Sequence, residues 1–252
     1  MGGAFQGVED PCLPLFSCIV IVTDTSDHAT RAPASGFDRI AWCYDALAGL
    51  VFGAALRRAQ KAALEQLPTG APRVLILGGG TGWVLTELLR RRPAASVLYL
   101  EESAAMLRRS QARLFFHLPD NQMQVEFRQG TQASVHTADG LFDAVVTFFV
   151  LDCLPAPTLP AALAHLAAVR RPGAPWLVAD FAPPRAAWQR ALLWVMYRFF
   201  RLTTGLAAHQ LPQLRPALAA LGLHEVGTGR RFYSGAVEAL VFNNGRDEQV
   251  ED

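Results

Sequence analysis

Short, wholly apolar runs alternate with amphipathic stretches between residues 74 and 179, and this alternation organises the chain. Residues 74–77 read Val-Leu-Ile-Leu, a four-residue run of the kind that forms a strand buried on both faces. A glycine cluster follows, then a helical pattern over 83–92, a strand over 97–100 and a helix over 103–115. Further strands are predicted at 125–128 and 142–150, a helix at 159–169, and a strand at 176–179. The last helix stops at Arg170-Arg171-Pro172-Gly173, where a missing donor and a permissive backbone end it. Such strand–helix alternation with short connections predicts an α/β fold: a mostly parallel sheet with helices on both faces and right-handed crossovers. Ligands of such sheets bind at the carboxyl ends of the strands.

The flanks differ. Over 37–67, Ile40, Leu47, Leu50, Val51, Leu56, Ala59 and Leu64 recur near a period of 3.6, and Pro68-Thr69-Gly70 ends the run. After Asp180 a long helix is predicted over 185–204 and a shorter one over 214–221. Two last strands at 224–226 and 237–242 are spaced to pair antiparallel, which brings the sheet to seven strands. Residues 1–36 are a weakly specified leader, with a lone strand at 19–22 and a polar stretch after it, compatible with disorder. Residues 247–252 form an acidic tail. The expected organisation is a leader (1–36), one domain (37–246) carrying helical lids at 37–67 and 185–221, and the tail (247–252).

Composition narrows the function classes. With 51% hydrophobic and 18% charged residues in a chain of 252, a disordered domain is excluded and a sizeable core is available. The formal charge is +1, so no bulk attraction to nucleic acid is implied. Cys12, Cys18, Cys43 and Cys153 show no CxxC pair, which argues against a disulfide framework or zinc knuckle and for a reducing cytoplasm. The apolar runs are shorter than the roughly 18–20 residues of a membrane span. Acidic Glu9 and Asp10 upstream of 13–22 argue against an export signal.

The chemistry gathers at Gly78-Gly79-Gly80-Thr81-Gly82-Trp83, directly after the first buried strand. Glycines there let the backbone turn sharply and approach a ligand, and the helix that follows offers free N–H donors. A dinucleotide fingerprint would need glycine at position 83, where Trp83 stands, so a nicotinamide-dependent oxidoreductase is disfavoured. About 20 residues on, Glu101-Glu102-Ser103 end the next strand, placed for a carboxylate to accept from two ribose hydroxyls. Alone, these residues could simply cap a helix; coupled to the glycine loop they indicate ligand binding.

Taken together these motifs resemble the class I S-adenosylmethionine-dependent methyltransferases over about residues 37–243, with the C-terminal region similar to those acting on quinones and phospholipids. Residues 74–82 resemble that family's first motif, contributing Gly78, Gly79, Gly80 and Gly82. Glu101 and Glu102 resemble its acidic ribose-binding motif, with Met106 implied near the adenine. Phe142-Asp143-Ala144-Val145-Val146-Thr147 resembles the fourth-strand motif, which implies Thr147 and Phe148 beside the methionine moiety. Phe37-Asp38 and Tyr44-Asp45 resemble an N-terminal lid whose tyrosine, here Tyr44, closes over the cofactor. The sequence departs from the family at Ile76, where an acid is usual, and at Gly130-Thr131-Gln132, where Gly-Asp-Ala is common. Gln132, next to Thr131, retains an amide oxygen able to accept from an amine.

Methyl transfer is an in-line displacement, for which a protein positions two partners and excludes water. A base serves acceptors of high pKa. Asp152 and His209 are the candidates, Asp152 for its place after the fourth strand and His209 for the loop after the long helix. Cys153 and His165 read as structural. His117, His136 and His224 lack ligand spacing, and no metal is expected. On the 185–204 helix, Trp188, Leu192, Val195, Met196, Phe199 and Leu202 form an apolar stripe opposite Arg190, Trp194, Tyr197, Arg201 and Thr204. That division fits a core face with a solvated basic face, or a lid over an apolar acceptor whose anionic head the arginines hold. The mean hydropathy of +0.19 fits a greasy pocket, a homodimer face or peripheral membrane contact. The expected activity is therefore methylation of a small apolar or lipid-like acceptor in a bacterial cytoplasm. Alternatives are an aminopropyltransferase of the spermidine synthase type, for which Asp152 and Asp180 would grip a polyamine, and a non-catalytic cofactor-binding protein.

Overall fold

The structure, a computed structural model, describes residues 36–205, 208, 211–227 and 229–244. The expected strand at 19–22, Cys12, Cys18, His209 and the acidic tail lie outside the described residues.

Five of the expected strands are adjacent and parallel. They are β1 (Arg73–Leu77), β2 (Ser96–Glu101), β3 (Val125–Gln129), β4 (Ala144–Phe148) and β5 (Trp176–Phe181). Three C-terminal strands follow, the short β6 (His224–Glu225) and β7 (Arg230–Phe232) and the longer β8 (Val237–Asn243). The order is β3-β2-β1-β4-β5-β8-β6, with β8 antiparallel to β5. The sheet counts eight strands against the seven expected because its outer edge is interrupted. β6 and β7 both pair antiparallel with β8, toward its two ends. Between the pairs Glu225–Phe242 and Arg230–Ala239, four residues face two, a bulge that includes Gly227 at φ +71°.

The helices fill both faces. The helical stretch expected over 37–67 forms α1 (Tyr44–Phe52) and α2 (Ala55–Leu64), divided where Gly53 at φ +55° breaks the run. α3 (Trp83–Arg91), α4 (Ala104–His117) and α5 (Leu159–Ala168) are the crossover helices, and α6 (Ala187–Thr204) and α7 (Leu214–Ala219) precede the C-terminal strands. Alternate residues of β1 serve two cores. Val74 and Ile76 pack with Leu64, Val84 and Leu88 on one face, and Leu75 and Leu77 pack with Leu163, Leu166 and Leu218 on the other. With β1 between β2 and β4, the chain reverses its direction of travel at β1, and a crevice opens at the carboxyl ends of these strands.

The division of α6 differs from the expected one. Trp188, Val195 and Leu202 are exposed, whereas Gln189, Met196 and Tyr197 are buried. The helix packs beside α1 over a cavity instead of lying on the sheet, so its inner side falls between the two predicted faces.

Candidate active site

The loop after β1 is shaped by what its glycines touch. A Cβ at Gly79 would sit 2.3 Å from the Tyr99 ring, whose hydroxyl donates to the Gly80 carbonyl at 2.9 Å. At Gly80, φ is +59° and an added Cβ would meet nothing, so this residue faces open space. Glu101 braces the same loop: one carboxylate oxygen accepts from the Gly80 N–H and the other from the Ser103 N–H, each at 2.9 Å. Burial pushes its pKa up, and the two amides hold it down against that. Each oxygen keeps one lone pair beyond these bonds.

The loop and Glu101 line a cavity of 440 Å³ at the strand ends, within the roughly 300–1,000 Å³ of small-molecule sites. Of the residues expected at the cofactor, the cavity brings together Tyr44, Gly78, Gly79, Gly80, Glu101, Glu102, Met106, Thr131, Gln132 and Phe148. Gly82 and Thr147 do not line it. Gly82 starts α3 at φ +84°, and a Cβ there would lie 2.7 Å from Ser110 Cα, so its role is the close packing of α3 on α4. Thr147 faces the opposite layer, where its hydroxyl accepts from Trp176 Nε1 at 2.9 Å. Both departures from the family, Ile76 and Gly130-Thr131-Gln132, are in the wall, and Ile76 together with Trp83 makes it more apolar.

Sequence reasoning missed how the lid is tied down. Asp45 accepts from Thr81 Oγ1 at 2.8 Å and from Arg113 Nη2 at 2.8 Å, joining α1 to the glycine loop and to α4. Asp38 accepts from Ser103 Oγ at 2.5 Å and from the Ala105 N–H at 3.0 Å, fastening the preceding turn to the start of α4. The signal was present as two aromatic–aspartate pairs, Phe37-Asp38 and Tyr44-Asp45. Because Asp45 is partly exposed, Asp45→Asn is expected to cost about 1 kcal/mol of stability and to raise the KM for the cofactor a few-fold. Thermal denaturation and initial rates check this, and a KM equal to the wild type would remove the tether from the binding argument.

A second cavity of 220 Å³ adjoins the first, sharing Tyr44, Phe149 and Cys153 with it. Its walls are apolar (Phe52, Leu192, Met196, Phe200), and its polar groups are few. Phe149 stands between the cavities at φ +53°, a strained backbone for a non-glycine residue, held by its N–H to the Ala179 carbonyl at 2.8 Å. Asp152 reaches this cavity almost fully buried, and burial pushes its pKa up to about 6. Cys153 Sγ donates to it at 3.5 Å. Behind them Asp180, at the end of β5, accepts from the Phe181 N–H at 2.8 Å through one oxygen, while the other has no partner. Burial and the neighbouring Asp152 charge push its carboxyl well above the usual range. The Tyr197 hydroxyl is also buried without a partner. His165 is structural, its ring 2.8 Å from the Val135 carbonyl. Among the described residues no cluster of three or more His, Cys, Asp or Glu could hold a metal ion. The arrangement offers one carboxyl poised to exchange a proton near neutrality in an apolar chamber, open to a glycine-walled cavity.

A family model described as a methyltransferase domain matches residues 74–173. The chain is 29% identical over 205 residues to a ubiquinone/menaquinone biosynthesis C-methyltransferase of Syntrophotalea carbinolica, covering 81% of this chain and 77% of the relative. It is 34% identical over 156 residues to a demethylmenaquinone methyltransferase of Thermus thermophilus, covering 59% of this chain and 65% of the relative. The chain thus spans a little under two thirds of that second relative. Among solved structures, the magnesium protoporphyrin IX methyltransferase of Synechocystis PCC 6803 with bound SAH shares the fold at a TM-score of 0.54 and 19% identity. That match covers 75% of this chain and 85% of the other.

Proposed function

We propose that the chain is a class I S-adenosylmethionine-dependent methyltransferase, as its methyltransferase-domain match and its relatives support, and that it methylates a small, apolar, hydroxylated ring of quinol-like chemistry. The observation that carries this reading is the pair of adjoining cavities, one walled by the glycine loop and Glu101, the other apolar with Asp152 in its lining. When bound, S-adenosylmethionine supplies an electrophilic methyl on its sulfonium. The open side of Gly80 leaves room for it, Glu101 and Glu102 offer ribose acceptors, and Gln132 offers an amide oxygen to the adenine amine. Tyr44 and Phe149 orient the acceptor and exclude water where the cavities meet. Asp152 takes the acceptor's hydroxyl proton, raising electron density on the ring; relatives named as C-methyltransferases favour a ring carbon as the site of attack. The aminopropyl alternative has less support, since Asp152 is the one acid lining the second cavity among the described residues, too few to hold a polyamine.

Among the described residues no helix is long and apolar enough to cross a membrane. A bacterial cytoplasmic setting is part of the same reading, in keeping with the organisms of the relatives.

Calorimetric titration with S-adenosylmethionine and S-adenosylhomocysteine is expected to give micromolar binding, with none for NADH. Turnover of cofactor labelled in the methyl group, screened over quinols, phenols and lipids, then identifies the acceptor. Absence of cofactor binding by a folded protein would overturn the reading and leave a non-catalytic role.

A further inference from the structure

Next to the apolar chamber, with Phe181 and Tyr197 in the wall of both, lies a third and larger cavity, of 720 Å³, which the methyl-transfer chemistry does not use. α6 presents Arg190, Trp194, Tyr197, Arg198 and Arg201 to it, spaced so that they share one side of the helix. Arg215 lines the opposite wall, but its charge is already met: it binds Glu225 at 2.7 Å and Glu238 at 2.9 and 3.0 Å. The other three arginines have no hydrogen-bond or ion-pair partner among the described residues, so the wall carries three uncompensated guanidinium groups.

Tyr197, only 7% exposed, lines both this cavity and the apolar chamber, and its hydroxyl feels the charges of Asp152 and Asp180 on the chamber side, so the arginines alone supply the polar groups of α6 here. Trp194, 68% exposed, stands among the arginines. Guanidinium forks match phosphate oxygens in pairs, as a lysine or a neutral lining would not.

We infer that this cavity binds a phosphate group, gripped by Arg190, Arg198 and Arg201. The rim favours phosphate carried on a lipid. Trp188, Trp194, Val195 and Leu202 are exposed along the same helix, and aromatic and aliphatic residues beside arginines suit the boundary between headgroups and acyl chains. A second copy of the chain suits this face poorly, since a two-fold contact would set the arginine row against itself. The three arginines line this cavity and not the acceptor chamber, and the test does not depend on finding that acceptor.

Two arms distinguish the source of the phosphate. Full-length protein is sedimented with vesicles of phosphatidylcholine alone or mixed equally with phosphatidylglycerol, and titrated separately with inorganic phosphate while tryptophan emission is followed. The triple variant Arg190→Gln/Arg198→Gln/Arg201→Gln serves as the test, and Trp194→Phe assigns the emission change. Calorimetry with S-adenosylhomocysteine, or circular dichroism should that ligand not bind, reports whether the triple variant is folded. The expected result is binding to the anionic vesicles that weakens roughly 100-fold in the triple variant. An emission change with inorganic phosphate, lost in both variants and without vesicle binding, would place the same site at the service of a soluble phosphate. Neither response in the wild type, or responses that persist in a folded triple variant, would overturn the inference. Should the triple variant not fold, single Arg198→Gln, at an exposed position of the helix, replaces it with an expected loss of about fivefold.

Discussion

Asp152→Asn is expected to lower kcat for methyl transfer by about 10²–10⁴-fold, the usual worth of a positioned general base, while cofactor affinity stays within about threefold. Asparagine keeps the shape of the side chain and removes its capacity to take a proton. The cofactor cavity is untouched because Asp152 lines the acceptor chamber alone. The pH profile separates a base from a structural acid. In the wild type kcat rises with pH through about 6, where the buried carboxyl ionises, and then levels; in the variant the residual rate is flat over that range. Stability moves oppositely. The folded-state pKa of Asp152 lies above its unfolded value, so the folded protein holds more protons between roughly pH 4 and 6. The stabilisation this linkage gives is complete below the unfolded pKa and is lost as pH rises through the folded one. Asp180, also pushed up, extends the loss to higher pH. Asp152→Asn therefore stabilises the protein near neutrality by roughly 1–3 kcal/mol while slowing it. Denaturant titrations at acid and neutral pH, beside stopped assays, read both effects, and an unchanged kcat would end the case for Asp152 as base.

The sequence placed Asp152 and Asp180 beyond neighbouring strands, but not the burial that raises both carboxyls. Asp152 and Asp180 lie on different elements, brought together when the turn after β4 packs against the end of β5. The same holds for the lid: the two aromatic–aspartate pairs were visible, but their bonds to Thr81, Arg113 and Ser103 depend on how α1 and the turn before it fold back over α4. Where one face or both faces of a segment are buried, the sequence carries the answer locally. The run 74–77 could only be an interior strand, and β1 starts one residue earlier than expected. Arg230-Arg231-Phe232 has no such pattern, and β7 exists because the edge of β8 is there to pair with it. Thr147 shows the limit of a motif. The strand was foreseen, but β-strand alternation turns its side chain to Trp176 and gives the next residue, Phe148, to the cavity.

Glu101→Ala is expected to weaken S-adenosylhomocysteine binding by roughly 1.5–3 kcal/mol, about 10–150-fold, as hydrogen bonds to a charged group are lost. Two causes combine. The lone pairs facing the cavity no longer receive ribose hydroxyls, and the Gly80 and Ser103 N–H groups lose the carboxylate that holds the glycine loop to the end of β2. Glu101→Gln is not a mild control here. Its amide has one acceptor oxygen and one NH₂ group, so one of the two backbone donors would face another donor. Its loss should approach that of alanine. Glu102→Ala separates the causes, since Glu102 lines the same cavity but is exposed and braces nothing in the loop; it should cost well under 1 kcal/mol. Calorimetry on the three variants, with circular dichroism to confirm their fold, distinguishes the outcomes. Unchanged affinity in Glu101→Ala, with a lowered melting temperature, would reduce Glu101 to a brace and move ribose recognition to its neighbour. A loss in both the alanine and glutamine variants, with Glu102→Ala near wild type, ties cofactor affinity to the one carboxylate that also shapes the loop. Binding and local folding at the ends of β1 and β2 would then be a single coupled event.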